Sequence, residues 1–391
     1  MSHLIRLSLV CLIAFSLHAQ DISPRLLLTA RRLHRLKLDR DRNTARWGNF
    51  EHRVKTVPDS PQRGFELALY GIVAGDAPSC EAAIQWGLKH KSEYRQTALI
   101  ADWCQPQISE SDRVALLADP PAFQPNRPFT SARNVLFSQI ARGEGSRDSA
   151  KEQWSQLLPL IQRDPRVCLP EAYALYEFLD AANTNFRIDL RQDDPQLFSN
   201  FPLLFLLSLH PNEVERPQWK QRMGGLMMVN VDPNLQASSF VQGWAMEDPR
   251  MVLDGPGVAY EFLWANPYLP GLGYYNMNHW FYDPSAGLLL ARKSWDASSC
   301  WVSVFHGKTD TLQCAGDLNE PTKFGKLTLM PMKEQCAQVT VQPGEAVILS
   351  QLNPGTKLGW ETNGEKFKTH ADASGLALVT MSATGRVCQA K

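Results

Sequence analysis

Gly287-Leu288-Leu289-Leu290-Ala291, followed at once by Arg292-Lys293-Ser294-Trp295, marks the change of architecture in this chain. A short apolar run opened by glycine and closed by charged residues fits a strand rather than a helix. On its N-terminal side, from Thr29 to about Leu209, apolar residues recur at helical spacing. Leu33 and Leu36, then Trp47, Phe50 and Val54, then Phe65, Leu69, Ile72 and Val73 follow steps of three and four. Tyr94, Ala98 and Ala101 lead into Trp103, and Ser109 with Asp112 three residues later resembles a capping box. Further helices are expected over 133–142, 146–161 and 170–181. The breaks Gly75-Asp76, Gln105-Pro106 and Gly143-Glu144-Gly145 are short and polar, which implies antiparallel helix pairs. Residues 223–268 are less regular and predict one or two last helices ending near Trp264.

On the C-terminal side, after Pro270, strands are expected at Trp301 to Phe305 and Lys326 to Leu329. Alternation then becomes clean at Val339 and Val341, Val347 and Leu349, and Leu376 and Leu378. Turn signals stand at Pro343-Gly344, Asn353-Pro354-Gly355, Asn363-Gly364 and Ser374-Gly375. The fold class is therefore α+β and multidomain: a helical domain over 20–268, a β-strand region over 269–332, and a small immunoglobulin-like β module over 333–391.

The first residues, MSHLIRLSLVCLIAFSLHAQ, carry Arg6, an apolar core from Leu7 to Leu17, and a tolerable cleavage site at Leu17-His18-Ala19. This predicts a signal peptide over 1–19 and a secreted or periplasmic mature protein, the competing reading being an N-terminal anchor. No later segment is apolar for about 18 residues, so no membrane span is expected after signal removal. The formal charge is balanced, with 40 basic and 40 acidic residues, which argues against a general nucleic-acid binder. Ten Lys and Arg residues nevertheless crowd the stretch from Arg25 to Lys55, either a face for an acidic polymer or a solvated helix surface. Seven cysteines follow the signal. Chain proximity suggests Cys80–Cys104, Cys300–Cys314 and Cys336–Cys388, leaving Cys168 unpaired.

Several stretches resemble the heparinase II/III-like proteins, secreted polysaccharide lyases with an α/α-toroid and a β-sandwich. Pro24-Arg25-Leu26-Leu27-Leu28-Thr29 is similar to the start of their toroid. Ala101-Asp102-Trp103-Cys104 and Ile108-Ser109-Glu110-Ser111-Asp112-Arg113 are similar to an Asp-Trp helix end and the next helix start. Phe262-Leu263-Trp264-Ala265-Asn266-Pro267 with Leu269-Pro270 resembles the toroid exit, and Gly287 to Trp295 the first sandwich strands. The resemblance implies an α/α-toroid-like domain followed by an antiparallel β-sandwich region. It also implies a carbohydrate-active protein that cleaves an acidic, uronate-containing polysaccharide by β-elimination.

One departure bears on that activity. The family commonly carries a His-x-His-x-Asp segment after the early sandwich strands, and here the matching stretch holds Gln313, Ala315 and Asp317. Alanine neither ligates metal nor moves a proton, and an amide is a poor substitute for imidazole. Asp317 alone is left as a candidate metal ligand, so no cofactor is assigned beyond a divalent metal at that position. The alternative function is a catalytically inactive glycan-binding or cell-envelope protein on the same scaffold.

Uronate lysis needs a group to neutralise the sugar carboxylate, a base for the C5 proton and an acid for the leaving oxygen. Asn134 matches the family's carboxylate-facing asparagine, against the reading of a solvent-facing helix-start residue. Tyr173, in Pro170-Glu171-Ala172-Tyr173, loosely resembles a Glu-Gly-x-Tyr element with Ala172 in place of the family glycine, against a core aromatic. His279 joins them as a catalytic candidate, within a cluster of Tyr274, Tyr275, Asn276, Asn278, Trp280 and Tyr282. Aromatics beside amides suit sugar stacking and hydroxyl recognition, and they suit a packing seam equally. His306 precedes the Gly307 turn and is a candidate for the cleft or simply an exposed loop histidine. Glu171 and Glu177 are six apart and share no helix face, so they are not a convincing hydrolase pair. No Gly-x-Ser-x-Gly elbow, phosphate-cradling glycine loop, CxxC or HExxH is present.

Overall fold

The computed structural model describes residues 25–121, 123–247, 255, 257–314, 318–362, 365–379 and 384–390. The expected signal peptide and Asp317 lie outside them. The architecture is a helix-rich N-terminal region followed by β-sheets. The described residues fall into two compact units. One is drawn from Met1–Gln124, Arg133–Ala150 and Asp180–Ile188, the other from Pro125–Ala132, Lys151–Leu179 and Asp189–Lys391.

In the first unit the helices Ala30–Asp41, Ala45–Thr56, Arg63–Ala74, Ala77–Lys89 and Tyr94–Trp103 follow one another through short breaks. Their boundaries are set by local chemistry. Thr29, Thr44 and Asp76 each accept a backbone N–H of the first turn that follows. Ser109 accepts from Asp112 N at 3.1 Å, the N-cap half of the expected capping box, while its hydroxyl rather than its backbone N–H donates to the Asp112 carboxylate at 2.7 Å. Arg63–Ala74 buries Phe65, Leu69 and Val73 and stops at Gly75, whose φ of 71° closes the helix in the left-handed region. Tyr94–Trp103 is buried from Arg95 to its end.

Two of the sequence stretches singled out above meet in this unit. The Asp102 carboxylate accepts the backbone N–H groups of Arg25 at 2.7 Å and Leu26 at 2.8 Å, and Trp103 Nε1 donates to the Leu26 carbonyl at 2.8 Å. Asn185 Nδ2 donates to the Arg25 carbonyl. The Asp-Trp pair thus anchors the incoming chain and satisfies its buried polar backbone. Burial pushes the Asp102 pKa up, against the N–H groups that favour its charged form. The basic run is largely consumed by ion pairs: Arg25 with Asp102, Arg32 with Asp180, Arg40 with Asp41, Arg46 with Asp39, Arg53 with Glu66, and Lys55 with Glu51. That pairing removes much of its value as a free cationic face.

The second unit carries the helices Pro195–Ser208, Trp219–Val231, Gln236–Glu247 and Gly257–Trp264, and then every described strand. Among the described residues three α-helices, rather than one or two, lie in the irregular stretch up to Trp264. A first antiparallel sheet runs β1 (Trp280–Asp283), β2 (Leu288–Arg292), β3 (Trp301–Phe305) and β4 (Lys308–Leu312) in order. The register pairs Leu290 with Ser303 and Ser303 with Asp310. Its hairpin turn places both His306 and Gly307 at positive φ, the conformation a two-residue primed turn requires.

The remaining strands are β5 (Thr322–Phe324), β6 (Leu327–Pro331), β7 (Cys336–Val339), β8 (Ala346–Ser350), β9 (Lys357–Thr362), β10 (Glu365–His370), β11 (Ala377–Val379) and β12 (Gly385–Gln389). They form two further sheets, ordered β11-β8-β6-β5 and β10-β9-β12-β7. The pairing crosses residue 333, because β8 lies beside β6, and that pair is parallel. The expectation of purely antiparallel pairing is corrected accordingly: a long crossover through β7 brings β8 back in the direction of β6.

Ile348 joins Leu289, Val302 and Leu327 in one core, while its neighbours Val347 and Leu349 join Val339, Leu358 and Val387 in another. The sheet containing β8 is therefore covered on both faces, which is why Val347-Ile348-Leu349 is an unbroken apolar run. β2 is likewise buried along its length. Leu289 and Ala291 face the neighbouring sheet. Next to them, Trp301 Nε1 donates to Leu207 O at 2.6 Å and Arg292 Nη2 to Leu209 O at 3.2 Å. The disulfides Cys80–Cys104, Cys300–Cys314 and Cys336–Cys388 form as chain proximity suggested, and Cys168 is free and buried. Among the described residues no helix is long and apolar enough to cross a membrane.

Candidate functional site

The segment after the last helix supplies the most distinctive chemistry. Tyr274–Asn276 form one short 3-10 turn, and Tyr275 stands 60% exposed above the buried Tyr274. The two rings meet edge to face at 5.9 Å, and Tyr274 meets Trp295 edge to face at 5.6 Å. Trp295 in turn lies beneath the guanidinium of Arg292, whose Cζ is 4.5 Å from the ring centre. His279 approaches the same indole edge to face at 6.3 Å. Its Nδ1 lies 3.0 Å from the Lys293 carbonyl, so that nitrogen carries the proton in the neutral ring and Nε2 is left as the acceptor. Gly325, at φ 59°, permits this: a Cβ there would stand 3.2 Å from the imidazole.

Arg292 is the unusual member. It is 0% exposed, and its Nη2 donates to Leu209 O, yet Nε and Nη1 meet no hydrogen-bond partner among the described residues. The Trp295 Nε1–H beside it is also without an acceptor. Burial lowers the Arg292 pKa to about 10, so it remains cationic at neutral pH. Arg292 Nε, Arg292 Nη1 and Trp295 Nε1 are thus three buried donors that meet no acceptor among the described residues. Period-2 alternation was the available signal, because it places Arg292 on the same face of β2 as Leu288 and Leu290.

The other candidates have the following surroundings. Asn276 and Asn278 are exposed. Asn278 Nδ2 donates to Trp280 O, and its Oδ1 accepts from His279 N. Trp280 and Tyr282 alternate with Phe281 along β1 and pack into the core between the first two sheets. The Tyr282 hydroxyl donates to Asp372 at 3.0 Å, and burial, then that carboxylate, holds its pKa well above the usual phenol range. Burial raises Tyr274 also. Neither phenol is poised as a base at neutral pH.

Tyr173 lies in the same unit, at the start of helix Ala172–Phe186. Its hydroxyl accepts from Trp264 Nε1 at 3.1 Å, and its half-buried ring meets Tyr260 edge to face at 5.1 Å. Asn134 belongs to the first unit and lies in the interior of helix Pro128–Arg142 rather than at its start. There its Oδ1 accepts from Arg133 Nε and Nη2. Glu171 is engaged by the start of that helix, accepting from Phe129 N at 3.3 Å and from the Thr130 hydroxyl. His306 is exposed in the hairpin turn against Phe305.

Gln313 is exposed at φ 56°, and the next residue, Cys314, is tied to Cys300. Among the described residues no three His, Cys, Asp or Glu side chains gather as a metal site. No protein-family model matches this sequence, and no curated protein matches it.

Proposed function

We propose that this protein recognises an acidic glycan, on a frame resembling the α/α-toroid and β-sandwich of the heparinase II/III-like proteins. The observation that carries this reading is the Arg292 guanidinium, sealed from water and still offering Nε and Nη1. An oxygen of a uronate carboxylate or a sulfate is an acceptor for either donor, which point to different edges of the guanidinium. Tyr275 offers a solvent-facing ring for stacking against a sugar, and the neighbouring Asn276 offers an amide for hydroxyls. The three disulfides fit an oxidising location, secreted or periplasmic.

β-Elimination is the second reading, and His279 is the observation in its favour, since the Lys293 carbonyl leaves Nε2 as a proton acceptor. Tyr173, in the same unit, is the proton-transfer candidate of that reading, and Asn134, the carboxylate-neutralising candidate, belongs to the other unit. The raised phenols of Tyr274 and Tyr282 weigh against it.

One experiment separates the two. The protein is mixed with a panel of uronate-containing and sulfated polysaccharides, with binding followed by calorimetry and cleavage by the ultraviolet absorbance of the unsaturated uronate product. Binding without product, lost in Arg292→Met, supports recognition. Product formation abolished in His279→Ala supports the lyase. Neither binding nor product across the panel overturns both.

A further inference from the structure

The outer face of the sheet β10-β9-β12-β7 carries a surplus of positive charge. Leu358, Trp360, Val387 and Val339 turn inward to the core shared with β8, and Phe367 packs against them. Strand alternation puts their neighbours on the opposite side. There Lys366 pairs in register with Glu361, Lys368 with Gly359 and His370 with Lys357. Cys388 lies across from Gly359, and Arg386 stands two residues before it on the same face. Lys357, Lys366, Lys368 and Arg386 are all exposed, and among the described strand residues Glu361 is the one acid beside them.

None of these cations is neutralised. The ion pairs of this part of the chain, Lys323–Glu345 and Lys333–Glu320, involve other residues. Among the described residues no carboxylate or other acceptor engages the side chain of Lys357, Lys366, Lys368 or Arg386. Residues 363–364, 380–383 and 391 of the same module lie outside the described ones and include no Asp or Glu. The stretch from Arg25 to Lys55 is the opposite case, its arginines being tied to Asp102, Asp39 and Glu66.

The face is a flat one without Phe, Tyr or Trp. Gly359 leaves its centre bare, since a Cβ there would meet only Phe367 O, at 3.8 Å. The Cys336–Cys388 disulfide lies alongside. The cations are spread over three strands, about 10 Å across and about 13 Å along, rather than set in one row. Long exposed stems without partners do not hold their charges at fixed positions, so the patch does not select one small ligand by geometry. It acts through summed charge, and its complement is a dense array of anions. A linear polyanion draws on one row of cations at a time, whereas a planar array meets all three strands together.

We infer that this face docks on an anionic phospholipid surface, peripherally and reversibly, with lipid phosphates opposite Lys357, Lys366, Lys368 and Arg386. The docking uses no residue of the Arg292 cluster and is independent of the acidic-glycan reading.

Cosedimentation of the full chain with phosphatidylglycerol–phosphatidylcholine vesicles tests it, with phosphatidylcholine vesicles as the neutral reference. Binding is expected on the anionic vesicles at about 0.1 M salt and not on the neutral ones. It is expected to disappear at about 1 M, where the Debye length falls from about 10 Å to about 3 Å. Each cation contributes about fivefold to partitioning, so Lys366→Gln combined with Lys368→Gln is expected to weaken it about 25-fold. Glu361→Gln is expected to strengthen it about fivefold, an effect that loss of folding cannot imitate. Arg292→Met is expected to bind as the parent does. Absence of binding to anionic vesicles, equal binding to neutral ones, or an unchanged double variant overturns the assignment. Soluble heparin that captures the parent but not the double variant, with vesicles left unbound, overturns it in favour of a linear polyanion.

Discussion

Replacing Arg292 with methionine tests whether the guanidinium is truly unpaired, and the two possibilities differ by several kcal/mol. Burial lowers its pKa from 12.5 to about 10, which corresponds to a penalty of about 3 kcal/mol for keeping the charge in place. Against this stand the bond to Leu209 O, worth about 1 kcal/mol, and the contact with the Trp295 ring, worth about 1–2 kcal/mol when desolvated. Methionine removes the penalty and both contacts together, so Arg292→Met is expected to lie within about 1 kcal/mol of the parent protein.

The pH dependence has a definite sign. The folded pKa lies below the unfolded one, so the penalty is present in full below about 10 and is relieved as pH rises toward 12.5. The difference between variant and parent should therefore be flat through neutrality. Calorimetric melting and urea unfolding at several pH values measure it. A loss of about 3–5 kcal/mol would refute the reasoning, because that is the cost of orphaning one member of a buried ion pair. A difference that varied through the acidic range would refute it too, since it would reveal a carboxylate partner.

Two other variants check the packing. Arg53→Ala removes the ion-pair partner of the fully buried Glu66 carboxylate, leaving the Ser60 hydroxyl as its donor and the Arg63 charge nearby, and it should cost about 3–5 kcal/mol in thermal or urea unfolding, whereas an effect below about 1 kcal/mol would mean that water reaches the pair. Serine in place of both Cys336 and Cys388 opens a 52-residue loop and should cost about 4 kcal/mol, more than the about 3 kcal/mol expected for the 14-residue Cys300–Cys314 loop. The reverse order in reductive unfolding would count against loop entropy as the cause.

The helical half was legible because its signals are local. Thr29, Thr44, Ser109 and Gly75 terminate helices through bonds made within one turn. The sheets were legible as strands but not as pairings. Nothing within a few residues of Val347 shows that β8 returns parallel to β6. β1 was missed for a related reason: Trp280 and Tyr282 look like a sugar-binding cluster until Phe281 between them reveals a period of two. The site was half legible. Tyr274, Tyr275 and His279 gather through nearby turns, while Arg292 and Trp295 acquire meaning only once Leu209 and the indole close around the guanidinium.

The central sheet also limits how this gene can be rearranged by recombination. Because β8 and β11 complete a layer begun by β6, a break placed near residue 333 divides one hydrogen-bonded sheet between two products. The upstream product would end in β6 with neither a parallel neighbour nor a cover for its outward side chains, an invitation to aggregate. The downstream product would keep β7, β9, β10 and β12 but lack half of the layer they pack on. Shuffling that tail onto another protein therefore fails as a cassette, and viable fusions must carry everything from β1 onward.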